Sequence, residues 1–201
     1  MNVRVFDDMS QATEQEVARM LPMVSAQRRE QALRYKHIFG QFCCLKSWLV
    51  LREIMAEGEW ANGERKNGEW QYNEYGKPYI PGAPFFSISH CKEGIAVAVN
   101  DKPVGIDIEA IRHADDALIE RTMNETERRL IVNGERANGE RLFTRLWTQK
   151  EAILKCRGTG IEGFEALQTA ITDFEQDKDR YGGELTTVEC SKYIYSVATL
   201  N

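Results

Sequence analysis

Residues 105–109 (GIDIE) alternate apolar and acidic side chains. In a β-strand this alternation puts the two isoleucines on one face and Asp107 and Glu109 on the other, about 6.5–7 Å apart along the backbone. Mg²⁺ prefers carboxylate oxygens and usually takes one or two of them together with a substrate phosphate. The pair is therefore a candidate magnesium site. The alternative is a half-exposed strand with a solvated acidic face.

A second candidate group lies in the segment 146–155 (LWTQKEAILK). Its apolar residues recur at helical spacing and predict an amphipathic helix. Glu151 and Lys155 stand four residues apart and therefore share one helix face. Glu151 would act as a metal ligand or a base, and Lys155 as a cation for a phosphate. The alternative is a surface ion pair worth about 0.2–0.5 kcal/mol.

Two upstream segments offer further groups for a phosphate. The segment 86–90 (FSISH) ends a predicted strand with Ser89, a hydroxyl donor, and His90, an N–H donor. The segment 75–78 (YGKP) predicts a tight turn that presents Lys77. The alternatives are a structural histidine and a lysine that only faces solvent.

The elements that must position these groups follow the same order twice. The chain begins with a predicted strand over 2–6, predicted helices over 25–36 and 40–57, and a loop or exposed hairpin over 57–70. Predicted strands follow over 85–89, 94–99 and 104–109. The second half holds predicted helices over 115–133 and 138–157, the latter capped by Gly158, and strands over 184–190 and 193–199. Helices followed by antiparallel strands, twice over, predict an α+β fold of two similar halves. A turn over 100–103 predicts a boundary between residues 1–103 and 104–201, and a ligand cleft between the halves.

Composition limits the classes of function. The chain has 201 residues, 42% of them hydrophobic, and a net charge of −5. This charge disfavours non-specific nucleic-acid binding, and no apolar stretch is long enough to predict a membrane span or a signal peptide. The five cysteines match neither a zinc motif nor a disulfide framework. We therefore expect a cytoplasmic protein with reduced thiols that binds neither nucleic acid nor a membrane.

The joint order of GKP, FSISH, GIDIE and W-T-Q-K-E-A-x-x-K resembles the 4′-phosphopantetheinyl transferases of the larger, single-chain type, which activates surfactin synthetase. The match runs from Gly76 to Lys155, and no acidic position is altered. The resemblance implies a transferase that moves 4′-phosphopantetheine from coenzyme A to a serine hydroxyl of an acyl or peptidyl carrier protein and releases adenosine 3′,5′-bisphosphate. It also implies two α+β halves related by pseudo-twofold symmetry, with the active site in the cleft between them.

The resemblance also implies roles for individual residues. Three carboxylates match ligands of Mg²⁺, with Mn²⁺ also suited to oxygen ligands, and these are Asp107, Glu109 and Glu151. Contacts to coenzyme A are implied for Lys77 near the adenosine, for Ser89 and His90 at phosphates, and for Lys155 at the diphosphate. Lys155 and Glu151 would be catalytic, and Glu151 is the candidate base, acting directly or through water.

One segment departs from the family pattern. The helix that follows SAQRREQALRY normally carries a basic residue that reaches the 3′-phosphate of coenzyme A. Here the corresponding residues 40–44 read GQFCC. Arg28 on the upstream helix is the available cation, with Lys46 close by, and how the 3′-phosphate is held stays open.

Two rival functions and the partner surface remain to be tested. One rival is a magnesium-dependent hydrolase of nucleotide diphosphates, and the other is a non-catalytic module that binds coenzyme A or carriers. Carrier proteins are typically acidic, so a net acidic enzyme needs a local basic surface for docking. Arginines that precede the Glu151 segment offer one: Arg121, Arg128, Arg129, Arg136, Arg141 and Arg145. A single chain of two halves can form the cleft, so we expect a monomer.

Overall fold

The computed structural model describes residues 1–57, 70–133, 136–160 and 163–201. The α-helices are α1 (Glu14–Met20), α2 (Ala26–Leu33), α3 (Ile38–Glu57), α4 (Asp116–Thr122), α5 (Glu125–Val132), α6 (Arg136–Arg157) and α7 (Phe164–Tyr181). The strands are β1 (Asn2–Phe6), β2 (Gln71–Tyr72), β3 (Pro78–Tyr79), β4 (Phe85–Cys91), β5 (Gly94–Asn100), β6 (Val104–Ala110), β7 (Gly183–Glu189) and β8 (Tyr193–Leu200). The predicted α+β class is confirmed.

Two antiparallel sheets share one connectivity. The first has the strand order β1-β5-β4 and the second β6-β8-β7. In each sheet an initial strand is followed by helices and then by a hairpin, whose second strand returns to the centre of the sheet. The predicted repetition of element order is therefore present as a repetition of strand order.

The two sheets meet at β4 and β6. These strands do not pair in a ladder. Instead the buried hydroxyl of Ser87 on β4 accepts a hydrogen bond from the backbone N–H of Ile106 on β6, at 3.1 Å. A side chain thus satisfies a free donor on the open edge of β6. This contact brings the end of β4, with Ser89 and His90, close to the centre of β6.

The buried hydrophobic side chains include one cluster in each half and a third between the halves. In the first half α3 supplies Phe42, Leu45 and Leu51 to a core that also includes Ile95 and Val97 of β5. In the second half, α6 and α7 pack on β8 through side chains that include Ile153, Phe174 and Ala198. A third cluster joins the halves across β5, β6 and β8: Ala96, Ala98, Val104, Ile106, Ile108 and Val197. The prediction that the isoleucines of β6 face a core is confirmed.

Several predicted boundaries need correction. The helix predicted over 25–36 ends at Leu33, and the one predicted over 115–133 is two helices, because Asn124 caps α5 in a capping box with Glu127. The helices α1 and α7 and the β2–β3 hairpin were not predicted. Residues 58–69 of the predicted loop lie outside the described residues. Of the helices in the described ranges, none has the length and apolar character needed to cross a membrane.

Candidate active site

Asp107 lies at the centre of the candidate site, in the middle of β6, with only 3% of its surface exposed. Its Oδ1 accepts hydrogen bonds from Ser89 Oγ at 2.7 Å and from Lys155 Nζ at 2.6 Å. Its Oδ2 is also buried and has no hydrogen-bond partner among the described residues. A solvated acidic face is therefore wrong for Asp107. A buried carboxylate oxygen without a donor is costly unless something fills its place.

Gly105 explains how α6 reaches the face of β6 that carries Asp107. A Cβ atom on Gly105 would lie 1.9 Å from the carbonyl oxygen of Ala152 and 2.3 Å from the amide nitrogen of Cys156. The helix backbone therefore rests directly on the strand backbone, which only glycine permits. Because Gly105, Asp107 and Glu109 alternate along β6, the same face carries both acidic residues.

Lys155 and Ser89 complete a three-element contact. The Lys155 amine donates to Ser89 Oγ at 3.1 Å as well as to Asp107. Ser89 comes from β4, Asp107 from β6 and Lys155 from α6. The structure thus brings together residues from three of the four sequence segments that were predicted to share a site.

The carboxylates Glu109 and Glu151 share one electrostatic environment with Asp107. Burial raises the pKa of Glu109 from its ordinary value to about 7, and the charge of Asp107 adds to this effect, while Arg112 and Lys155 oppose it. Burial also raises the pKa of Glu151, and Lys155 lowers it in part. Near neutral pH this cluster favours a bound proton or a cation.

Asp107, Glu109 and Glu151 have the chemistry to bind a divalent cation, but their side chains are not arranged as a complete coordination site. The donors are hard carboxylate oxygens, and Asp107 Oδ2 is a buried oxygen without a partner. Within the ranges that the structure describes, no group of three or more His, Cys, Asp and Glu side chains is arranged to hold a metal ion. The magnesium ligands predicted from the sequence therefore stay a prediction.

His90 lies at the end of β4, next to Ser89. The residue is exposed, yet the protein atoms around its ring desolvate it in part. This desolvation together with the charge of Lys155 lowers the pKa of His90. The ring is therefore mainly neutral at pH 7. It can offer a phosphate an N–H donor rather than a positive charge.

Arg28 is placed away from this cluster, in the core of the first half. Its guanidinium donates to the carbonyl of Cys44 at 3.0 Å, to Gln31 Oε1 at 2.9 Å and to Ser47 Oγ at 3.3 Å. It also stacks 4.2 Å from the ring centroid of Trp70. Burial lowers its pKa. These contacts join α2 to α3 and engage the cation that was predicted to bind coenzyme A.

Lys77 lies between the halves, at the start of β6. Its Nζ donates to the carbonyl oxygen of Val104 at 3.0 Å, and burial lowers the pKa of the amine. The residues that replace the expected cation upstream, Cys43 and Cys44, are buried in α3. Burial raises the pKa of both thiols, to about 12 for Cys43, so they act as small apolar side chains. All five cysteines are free, in agreement with the predicted reduced thiols.

Lys150 precedes Glu151 in the chain and positions it, a role that the sequence motifs did not indicate. It is fully buried, and its amine donates to the carbonyl of Thr122 at 2.8 Å and to Glu127 Oε2 at 2.5 Å. Glu127 also accepts from the N–H of Asn124 at the start of α5. Lys150 therefore fixes α6, one residue before Glu151, to the α4–α5 junction. A signal existed, because position 150 falls on the apolar stripe of α6, where a lysine requires a buried anion.

The arginines predicted to form a docking surface differ in their partners. Arg141 and Arg145 lie 3.0 Å and 3.7 Å from Glu189, and Arg129 pairs with Glu125. Arg121 stacks over Phe164, and the side chain of Arg136 is outside the described part. Arg128 has no ion pair among the described residues. It shares α5 with the exposed side chains of Leu130 and Val132.

An α+β fold with a buried carboxylate, a lysine and a hydroxyl converging from three elements is suited to an enzyme that handles a phosphate. Comparison with known proteins agrees. A family model described as the 4′-phosphopantetheinyl transferase superfamily matches residues 103–198. The chain is 30% identical over 161 residues to the 4′-phosphopantetheinyl transferase gsp of Aneurinibacillus migulanus, covering 77% of this chain and 67% of that protein.

Two further relatives show the same pattern. A 4′-phosphopantetheinyl transferase of Bacillus subtilis is 34% identical over 71% of this chain and 64% of its own length. The 4′-phosphopantetheinyl transferase psf-1 of Bacillus pumilus is 32% identical over 73% of this chain and 63% of its own length. The matches span about two thirds of the length of these relatives. This chain belongs to the 4′-phosphopantetheinyl transferase superfamily, in its larger, single-chain type.

Proposed function

We propose that this chain transfers the 4′-phosphopantetheine group from coenzyme A to a serine hydroxyl of an acyl or peptidyl carrier protein. The observation that carries the proposal is the convergence of Ser89, Lys155 and the half-unsatisfied carboxylate of Asp107, in a member of this superfamily. Such a cluster offers donors and positive charge to a phosphate, and a free carboxylate oxygen to a cation.

Magnesium, or manganese, is the cation that we propose for Asp107, Glu109 and Glu151. The support is the set of hard oxygen donors, the unpartnered Asp107 Oδ2 and the raised pKa of both glutamates. A bound ion of this kind supplies neutralisation of charge on the diphosphate.

The remaining contacts to coenzyme A come from side chains of this chain. Lys155 holds a positive charge where negative charge develops on the leaving group, and Ser89 and the neutral ring of His90 donate hydrogen bonds to phosphate oxygens. Lys77 and Arg28 are the contacts proposed from the sequence for the rest of coenzyme A. Both cations already donate hydrogen bonds within the protein, Lys77 to the carbonyl of Val104 and Arg28 to the carbonyl of Cys44.

Glu151 is the proposed base. Its carboxylate is partly buried and interacts electrostatically with Lys155 and Asp107, so it lies beside the groups that we propose for the diphosphate. The serine oxygen of the carrier bonds to the β-phosphorus of coenzyme A, and the bond from that phosphorus to adenosine 3′,5′-bisphosphate breaks. The serine proton passes to Glu151, directly or through water, and then to solvent.

The proposal extends to the arrangement of the halves. Residues 1–103 would contact coenzyme A and residues 104–201 would carry the metal ligands, with pseudo-twofold symmetry and the active site in the cleft between them. The equal strand order of the two sheets and the Ser89–Asp107 contact support this arrangement. A single chain supplies every residue of the cluster, so we propose a monomer that acts in the cytoplasm.

The decisive experiment is mass spectrometry of a panel of apo carrier proteins after incubation with coenzyme A and magnesium. A transferase adds the mass of phosphopantetheine to at least one carrier. Consumption of coenzyme A without any change in carrier mass would instead establish the hydrolase. Binding without consumption would establish the non-catalytic module, and the variant Glu151→Gln would then behave as the wild type.

The pH dependence of stability tests the proposed metal site. Glu109 has a folded-state pKa of about 7 against an ordinary value of 4.5, so between these values the folded protein binds more protons than the unfolded chain. The free energy of unfolding without metal should therefore fall as pH rises from 5 to 8. Magnesium should raise Tm at pH 8 and leave it nearly unchanged at pH 5, because the ion displaces the proton.

Thermal melts at several pH values, with and without magnesium, measure this effect. The control is Glu109→Gln, which cannot titrate and should show a flatter Tm profile and little response to magnesium. Identical profiles for the wild type and Glu109→Gln would reject the assignment.

The carrier surface is tested by reversing charge on α5. The double variant Arg128→Glu, Arg129→Glu should raise the KM for an acidic carrier roughly tenfold, because docking then meets like charge. The KM for coenzyme A should stay unchanged. Arg19→Glu on α1, which also breaks a surface ion pair, is the matched control. An unchanged carrier KM would place docking elsewhere.

A further inference from the structure

The turn over residues 73–77 (NEYGK) contacts the ends of both elements that carry the site. Asn73 Nδ2 donates to the carbonyl oxygen of Gly158, just beyond α6, at 2.8 Å. Lys77 Nζ donates to the carbonyl of Val104, the first residue of β6, at 3.0 Å. Lys155 lies three residues before Gly158, and Asp107 lies three residues after Val104. A turn of the first half thus holds the helix and the strand of the second half.

Asn73 is locked in the conformation that makes this contact. Its Oδ1 accepts from the backbone N–H groups of Tyr75 at 3.0 Å and Lys77 at 2.8 Å. Its own N–H donates to the carbonyl of Lys77 at 3.0 Å, and its carbonyl accepts from Gly76 N at 3.0 Å. Such a side chain is pre-organised, so it loses little entropy when it donates to Gly158.

The end of α6 has a polar group that needs this donor. Gly158 adopts a left-handed conformation with φ of +77° and closes the helix by donating to the carbonyl of Leu154 at 2.9 Å. Carbonyls at a helix C-terminus lack partners within the helix. A Cβ on Gly158 would lie 3.4 Å from Asn73 Nδ2, so the turn packs closely on this end. The apolar side chains of Leu154 and Cys156 anchor the same helical turn, so the helix does not depend on Asn73 to form.

We infer that Asn73 is a positioning residue, which keeps the last turn of α6, and with it Lys155, in register with Asp107 on β6. That this position of Lys155 matters for transfer of phosphopantetheine rests on the proposed function. The competing explanation is that Asn73 only forms the 73–77 turn. The two explanations differ on the hydrogen bond from Asn73 Nδ2 to the Gly158 carbonyl. Only the positioning role requires this bond.

The variant Asn73→Asp separates the two explanations. It keeps an oxygen for the two turn amides but puts a second oxygen, in place of the donor, against the Gly158 carbonyl. We expect kcat for carrier modification to fall about tenfold to a hundredfold, as a displacement of reacting groups by about 1 Å does, with KM for coenzyme A within about threefold. Hydrogen exchange at amides 155–158 should become several-fold faster, with β8 unchanged. Asn73→Ser, which can still serve the turn but is too short to reach Gly158, should show the same changes.

Glu74→Gln is the control, because Glu74 is an exposed neighbour in the same turn. It should match the wild type in both measurements. Wild-type exchange at 155–158 in both Asn73 variants would overturn the inference, and so would faster exchange with an unchanged kcat. The exchange comparison needs no substrate, so it remains readable even if no carrier is ever modified and the proposed function fails.

Discussion

Replacing Asp107 by Asn should lower kcat for carrier modification by about a hundredfold to a thousandfold, the loss typical of removing one preorganised charge-stabilising group. Asparagine has the shape of aspartate and keeps one oxygen for Ser89 and Lys155. It replaces the unpartnered Oδ2 with an NH₂ donor, which repels a cation and leaves the charge of Lys155 without its counterion. Steady-state kinetics with coenzyme A, magnesium and an apo carrier measure the loss.

The variant should remain folded, because asparagine keeps the shape of aspartate and Lys155, which loses its counterion, is partly exposed to solvent. Circular dichroism and Tm check this point. Asp177→Asn is the matched control, since Asp177 pairs with Arg157 of α6 at 2.7 Å but lies outside the site. It should keep activity within about twofold, as expected for a partly exposed ion pair. More than a tenth of wild-type activity in Asp107→Asn would contradict the central role of this carboxylate.

Side-chain type and periodicity were enough to predict which residues share a face of a strand or a helix. The period of two in GIDIE and the i, i+4 spacing in KEAILK each specify a face, and both faces are now seen to meet. What the pattern left open was whether the acidic face is solvated. That depends on whether a helix covers it, and therefore on long-range packing that no local pattern contains.

Burial of polar groups explains the main omissions. An arginine on a short polar helix is typically exposed, and nothing local indicates that Arg28 is buried against Trp70. Lys150 did carry a signal, since it interrupts the apolar stripe of α6. The helix α7 did as well: Leu167, Ala170, Ile171 and Phe174 recur at helical spacing and are buried, Ile171 only in part. These two could have been predicted, and Arg28 could not.

The turn at residues 73–77 also shows that local sequence does not reveal long-range contacts. Gly76 and Pro78 were sufficient to predict a turn at Lys77, and the turn is present, with φ of +80° at Gly76. The sequence does not show what this turn rests on, because Asn73 and Gly158 are 85 positions apart. Local chemistry determines the shape of the turn, and only the assembled halves determine that it contacts the end of α6.

Gly105→Ala should reduce both stability and activity, because the added methyl group meets backbone rather than flexible side chains. The new Cβ would lie 1.9 Å from the carbonyl oxygen of Ala152, where contacts below about 3 Å do not occur, so α6 must move by about 1 Å. Overpacking of this kind typically costs about 1–3 kcal/mol of unfolding free energy. The same movement separates Lys155 from Asp107, now 2.6 Å apart, and should lower kcat about a hundredfold.

Denaturant unfolding and steady-state kinetics measure the two losses separately. Gly163→Ala is the matched control, because a Cβ at Gly163 meets nothing within 4 Å. It should leave stability and activity close to the wild type. If Gly105→Ala were as stable and active as the wild type, α6 would not rest on β6 at this residue. The contact between Lys155 and Asp107 would then need another explanation. A loss of activity with full stability would instead show that α6 can move at little energetic cost, and that activity depends on the position of Lys155 relative to Asp107.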